Sequence, residues 1–242
     1  MQAAEAIAKG NAMKISPETL SVLKNFSTIN KGIVFKAGRQ LRTISELHSI
    51  LAEASVKEEF PAQDVAIYDL NAFLGVVSLF KDPNFIFEET YVEITDGDGK
   101  SKVKYRYAAD GMVKAPPQKT ANKFPDDAIT FTLPEENIAI LLKAASILDQ
   151  KEIMVESGEN GIVVGIENKK DKSANSYRFS PDGEAKGHTC RLYFKIENLK
   201  LLKGSYTVSI YEVAKDKGVG NFRNTNVELQ YWVAAEIGST FK

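Results

Sequence analysis

Cysteine, histidine and tryptophan are nearly absent from this chain of 242 residues, which holds one Cys, two His and one Trp. A lone Cys190 excludes a disulfide within the chain and fits a reducing compartment. His188-Thr189-Cys190 offers two metal ligands in sequence, but His48 is the only other histidine and no second cysteine exists. A closed site of nitrogen and sulfur ligands cannot be assembled from that set, so no metal is expected. Gly-x-Ser-x-Gly and Gly-x-x-x-x-Gly-Lys-Ser/Thr are both missing. Nucleophile-elbow hydrolysis and nucleoside triphosphate hydrolysis are therefore not encoded, and the chain reads as non-enzymatic and without a cofactor.

Long apolar runs are lacking too. None approaches the roughly 18 residues of a membrane span, so no membrane partner is expected. Residues 1–12 are Ala-rich and lack the basic and apolar regions of a signal peptide. They read as a disordered or added extension outside the fold, with Met13-Lys14 as a second start. A net charge of -1 means the molecule is no polycation. Any contact with nucleic acid has to come from a local concentration of positive charge.

What the chain does contain, it contains twice. Ser16-Pro17-Glu18 opens an amphipathic stretch ending near Ile29, and Leu133-Pro134-Glu135 opens another ending near Leu148. Pro17 suits a first helical turn, Ser16 an N-cap, and Glu18 the positive end of the dipole. Leu20, Val22, Leu23, Phe26 and Ile29 share one side of the first helix, while Ser21, Lys24, Asn25 and Thr28 share the other. In the second, Ile138, Ile140, Leu141, Leu142, Ala144, Ala145, Ile147 and Leu148 form a broad apolar face opposite Lys143 and Ser146.

Each helix is followed by β-rich sequence, a second short helical stretch (Asp69 to Leu79, then Ile196 to Lys203), and more β-rich sequence. Asp96-Gly97-Asp98-Gly99 is a hairpin turn between Tyr91–Thr95 and Lys102–Tyr107; it lacks the later ligands of a calcium loop. Repetition at this spacing predicts two similar α+β domains, each with two helices on antiparallel sheet. Their boundaries are 13–112 and 128–242, with a Pro- and Gly-bearing connecting segment, 113–127, between them.

The four helix bodies beyond their first turns contain Lys24, Lys143, Lys200 and Lys203 but no Asp or Glu. At the chain's overall acid frequency about four acids would be expected, since surface helices normally mix both signs. Short helices avoiding carboxylates by chance is one reading. The other is a surface kept positive for a polyanion. Lysines so widely spaced suit non-specific phosphate contact rather than base readout. Lys169-Lys170-Asp171-Lys172 reads as a solvated loop, and Tyr231-Trp232 as strand packing.

Leu23-Lys24-Asn25-Phe26-Ser27-Thr28-Ile29-Asn30-Lys31-Gly32-Ile33 resembles the first helix of the sliding clamps of T-even-like bacteriophages. Asp64 through Gly75, with Ser78-Leu79 beyond, resembles the same family. Tyr231-Trp232-Val233-Ala234-Ala235-Glu236 is similar to its final strand. The likeness runs from Met13 to near the end, weaker from Lys81 through Thr132. The extension before Met13 and the loop lengths around Asp96 and Lys170 depart from the family.

The resemblance implies a DNA-clamp fold and a ring-forming homotrimer around duplex DNA, with helices lining the hole and neighbours joined through edge strands. It implies a processivity factor that binds DNA without sequence specificity and tethers a DNA polymerase. Further implied partners are an ATP-driven clamp loader and late-transcription factors, all in the cytoplasm of an infected bacterial host. DNA-facing residues would be Lys24, Lys143, Lys200 and Lys203. Partner tails would enter an apolar pocket near the connecting segment, around Val113 and Phe124. The competing class is a non-catalytic phage structural or assembly protein of duplicated β-rich domains.

Overall fold

The computed structural model describes residues 12–117, 125–171, 173–215 and 217–241. The chain divides into two compact units, one of residues 1–46 with 53–116 and the other of residues 47–52 with 117–242. The expected extension, apart from Ala12, lies outside the described residues.

The first unit opens with α1 (Pro17–Ile29), followed by β1 (Ile33–Phe35), β2 (Gly38–Ile44), β3 (Ile50–Phe60) and β4 (Val65–Ile67). It continues with α2 (Leu70–Val77), β5 (Asn84–Phe87), β6 (Tyr91–Thr95) and β7 (Lys102–Arg106). Of β3, residues 50–52 group with the second unit. The start of α1 forms as its sequence dictates. Ser16 accepts from the Thr19 N–H at 3.3 Å, and Pro17 occupies the first turn, where its missing N–H costs nothing.

Glu58 reinforces that helix end, accepting from the Ser16 N–H at 2.5 Å and the Thr19 hydroxyl at 2.6 Å. Val22, Leu23, Phe26 and Ile29 are buried beneath the helix, each contributing about 1.5–3 kcal/mol relative to exposure. Asp69 caps α2 by accepting from the Ala72 N–H at 2.9 Å. Phe73 on α2 meets Tyr105 edge-on at 5.3 Å, and Phe35 stacks on Phe60 at 4.7 Å. Such pairs add about 0.5–1.5 kcal/mol each beyond area burial. Strands β5, β6 and β7 run antiparallel in that order, and the turn at Asp96 to Gly99 aligns Thr95 with Lys102.

The second unit comprises β8 (Ile129–Leu133), α3 (Glu135–Ile147), β9 (Glu152–Gly158), β10 (Gly161–Ile166), β11 (Tyr177–Phe179) and β12 (Gly183–Glu184). Then come β13 (Cys190–Lys195), β14 (Tyr206–Ala214), β15 (Lys217–Asn224), β16 (Leu229–Ala234) and β17 (Thr240–Phe241). One sheet runs β11-β10-β9-β13-β17; another contains β12-β8-β14-β15-β16 in that order. Leu141 and Ala145 anchor α3, and Ile162, Val164 and Ile166 are buried on β10, which it packs against.

The helical stretch expected over Ile196 to Lys203 is instead a single 3-10 turn, Ile196–Asn198. Tyrosines take over the backbone beyond it. The Leu202 N–H donates to the Tyr231 hydroxyl at 3.0 Å, and the Tyr206 hydroxyl donates to the Leu202 carbonyl. Gly204 then turns the chain at φ +148, where Asn224 leaves no room for a Cβ. With both its backbone groups claimed by side chains, Leu202 has nothing left for a helical ladder.

Candidate nucleic-acid interface

On α1 the exposed residues are Pro17, Glu18, Ser21, Lys24 and Thr28. At 100° per residue Lys24 stands on that face, opposite buried Val22 and Phe26. The Ser27 and Thr28 hydroxyls turn back onto the carbonyls of Lys24 and Asn25, at 2.8 and 2.7 Å. Lys24 makes no ion pair among the described residues. Helix α2, packed against α1, exposes Asn71, Ala72 and Gly75 and carries no charge. Just beyond it, Lys81 is a second exposed cation without an ion pair among the described residues; lying outside a helix body, it gave no periodic signal.

The corresponding face of α3 carries Ala139, Lys143 and Ser146. Lys143 is exposed and, among the described residues, without an ion pair. Beside it Ile140 is 45% and Ile147 71% exposed. Apolar side chains so placed were expected in the core. The helix buries only Leu141 and Ala145, and Ile140, Leu142 and Ile147 of its apolar stripe are exposed.

The other two lysines stand differently. Neither Lys200 nor Lys203 lies on a helix, because the 3-10 turn stops at Asn198. Lys203 pairs with Glu135 of the first turn of α3 at 3.3 Å. Of the four lysines expected on helices, Lys24 and Lys143 stand on them and Lys200 and Lys203 do not. Lys169 also departs from the solvated-loop reading, sitting 2.8 Å from Glu152 and 4.0 Å above the Tyr193 ring. Charge pairing and cation–π attraction hold it there. Lys172 lies outside the described residues.

Val113 stands at a groove of about 610 Å³ in the first unit, shared with Val34, Ala66, Ala108 and Ala115. The backbone of Gly32 lets Val113 approach; a Cβ there would come within 2.9 Å of it. Asn30 ties down the neighbouring residue, donating to the Lys114 carbonyl at 3.5 Å. Phe124 lies outside the described residues. His188 sits 3.1 Å from Asp127, while Cys190 is buried beside Ser157. Burial pushes the Cys190 thiol up, so it is a poor nucleophile. No group of three metal-ligating side chains occurs among the described residues, and no described helix is long and apolar enough to cross a membrane.

The chain is similar to known proteins along nearly its whole length. The DNA polymerase processivity factor family matches residues 15–113. A sliding clamp of Vibrio phage KVP40 is 32% identical over 230 residues, covering 93% of this chain and 99% of that protein. One of Enterobacteria phage T4 is 31% identical over 234 residues, covering 94% and 99%. Among solved structures, the proliferating cell nuclear antigen of Thermococcus kodakaraensis superposes with a TM-score of 0.66 at 14% identity, covering 93% of this chain and 98% of that one. That of Entamoeba histolytica gives 0.64 at 12%, covering 90% and 94%. Those two likenesses establish the DNA-clamp fold. The sequence relatives carry the rest: the chain belongs to the sliding clamps of T-even-like bacteriophages, a family of DNA polymerase processivity factors.

Proposed function

We propose that three copies of this chain close into a ring around duplex DNA and hold a DNA polymerase at the primer end. One observation carries the reading: beyond their first turns, α1, α2 and α3 bear Lys24 and Lys143 and not one carboxylate. Phosphate contacts from such a surface are weak, mobile and salt-dependent. A closed ring needs nothing stronger, since topology keeps it on the duplex. Tethering raises the effective concentration of the polymerase without new contacts to the template. The module does this without catalysis, in the host cytoplasm. An ATP-driven loader opens the ring, and late-transcription factors share it.

Open strand edges among the described residues support ring closure. β7 ends one sheet of the first unit and β11 ends one of the second. Exposed edges invite pairing with another chain, and unlike surfaces that meet head to tail close a ring when the rotation permits. Tyr177 and Phe179 pair in register with Ile166 and Val164, which puts them on the sheet face that α3 covers. The outward Ile140 and Ile147 of α3 and the 72% exposed Leu79 after α2 are apolar surface for the same junction. Partner tails enter the groove at Val113.

Solution mass tests the assembly, and three chains is the expected result. Retention on circular but not linearised DNA tests encirclement. Lys24→Glu combined with Lys143→Glu is expected to leave the trimer intact while shortening products in primer extension. A single chain in solution, or unchanged product lengths, would overturn the corresponding part.

A further inference from the structure

We propose that the outward face of β6 and β7 is a second nucleic-acid surface, a strip that holds the phosphates of one extended single strand. Lys102, Lys104 and Arg106 alternate along β7 with Val103 and Tyr105. Tyr105 turns toward α2, meeting the Phe73 ring and donating its hydroxyl to the Asp69 carbonyl at 3.0 Å. The three cations therefore stand on the other face of the sheet, away from α2, and all three are exposed. Lys102 reaches Glu93 at 3.4 Å. Lys104 lies 4.8 Å above the Tyr91 ring, and Arg106 is opposite Tyr91 in register. Neither Lys104 nor Arg106 makes an ion pair among the described residues, although Glu88 and Glu89 stand in the turn before Tyr91. Residues 118–124, beyond the strand, contain no Asp or Glu.

The corresponding sheet face of the second unit is neutralised within itself. There, on the side away from Leu141 of α3, Arg178 pairs with Glu167, Arg191 with Glu156 and Glu167, and Lys195 with Glu236, at 2.5, 3.2, 2.6 and 3.1 Å. The first unit leaves two cations over, in line with a third. At roughly 3.3 Å per residue, alternate side chains stand about 7 Å apart, a step that successive phosphates of an extended strand can follow. The Tyr91 ring, from which a phosphate would draw Lys104 aside, offers a π-face that an unstacked base can reach and a paired base within a duplex cannot. A processivity factor works beside single-stranded template, so that ligand is at hand. Strand pairing along the β7 edge engages its backbone alone, and the strip stays open when chains assemble.

The test is fluorescence anisotropy of a short fluorescein-labelled oligothymidylate, titrated at low salt with the full chain carrying Lys24→Glu and Lys143→Glu, which removes the helix-face contacts. Binding should persist there. Adding Lys104→Glu with Arg106→Glu should raise the Kd at least about tenfold and lower the salt slope by about 1.4, the value for two single-strand phosphates. Thermal melts matched to the parent check that each variant is folded. The strip lies within one unit, so solution mass tests the ring independently of it. A Kd unmoved by Lys104→Glu with Arg106→Glu, or binding already lost with Lys24→Glu and Lys143→Glu, would overturn the strip. Tighter binding of a labelled oligoglutamate, lost with Lys104→Glu and Arg106→Glu, would make an acidic protein segment the occupant and overturn the nucleic-acid assignment.

Discussion

Helices α1 and α3 are the same length, 13 residues, and hold a lysine at nearly the same place, yet they are anchored in opposite ways. α1 buries Thr19, Val22, Leu23, Phe26 and Ile29 and shows solvent a polar face. α3 buries Leu141 and Ala145 and leaves Ile140 and Ile147 outside. Their starts differ as well. Ser16 and Glu58 hold the first turn of α1, whereas Pro134 stands at the cap of α3 with no side-chain bond of its own. There the Ser205 hydroxyl accepts from the Glu135 N–H at 3.1 Å. The two helices share an outward lysine and differ in everything that fixes them. On the proposed reading their common role resides in the outward charge, and their packing is free to differ.

Removing anchors exposes that difference most directly. Phe26→Ala in α1 is expected to cost about 3–5 kcal/mol and Leu141→Ala in α3 about 2–5 kcal/mol. Because α3 has so few buried side chains, Leu141→Ala should also release amide exchange along the whole helix, while Phe26→Ala leaves α1 partly protected. Urea melts read by hydrogen exchange decide this, and equal protection in the two helices would contradict the contrast.

The outward isoleucines come next. Covering Ile140 and Ile147 in a neighbour is worth about 1–2 kcal/mol each, so Ile140→Ser with Ile147→Ser should weaken trimer association about a hundredfold. The stability of the single chain should move by no more than about 0.5 kcal/mol per site, since neither is in the core. Sedimentation at falling concentration measures the first and urea melts the second. A mass unchanged at all concentrations would remove the isoleucines from the junction.

Glu58 gives the first unit a pH response that α3 lacks. Burial raises its pKa, but hydrogen bonds from Thr19 and Ser16 outweigh that, and the net shift is downward. A carboxylate depressed in the fold binds fewer protons there than in the unfolded chain. Its stabilisation is present above the ordinary value of 4.5 and is lost as pH falls through the lowered one. Glu58→Gln should therefore cost about 1–2 kcal/mol at pH 7 and progressively less as pH falls through the lowered value. Melts of the isolated change across that range check it; a cost independent of pH would mean the loss is packing alone.

How legible all this was in the sequence depends on whether the signal was local. The cap and periodicity of α1, the span of α3 and the hairpin at Asp96 are short-range, and they appear where expected. β3 carries no strand signal of its own, since Leu51 to Phe60 is rich in Ala, Glu and Lys, good helix formers, and only partners elsewhere in the chain make it a strand. In β15, Gly218 and Gly220 weaken any strand reading. Both are required by contacts the sequence does not show: a Cβ at Gly218 would lie 2.9 Å from Leu192, and one at Gly220 3.0 Å from Phe194. The lysine positions on α1 and α3 were readable from the helical period. That Ile140, Leu142 and Ile147 of α3 point outward was not, because periodicity identifies a stripe without saying what covers it.

The smallest effect separates the lysines themselves. Lys203 and Glu135 form an exposed pair, with side chains 87% and 47% accessible, which solvent and salt screen. Lys203→Met should change stability by less than about 0.5 kcal/mol. It should also change the salt slope of DNA retention less than Lys143→Met does, because a lysine already facing a carboxylate releases fewer counterions from the duplex. Lys143, with no carboxylate beside it on the helix face, should lower the slope by nearly one for each phosphate it meets. Retention on circular DNA across a salt series reads both. Equal slopes for the two variants would mean that Glu135 does not hold Lys203 when DNA is present, and the two lysines of the second unit would then contribute on the same terms.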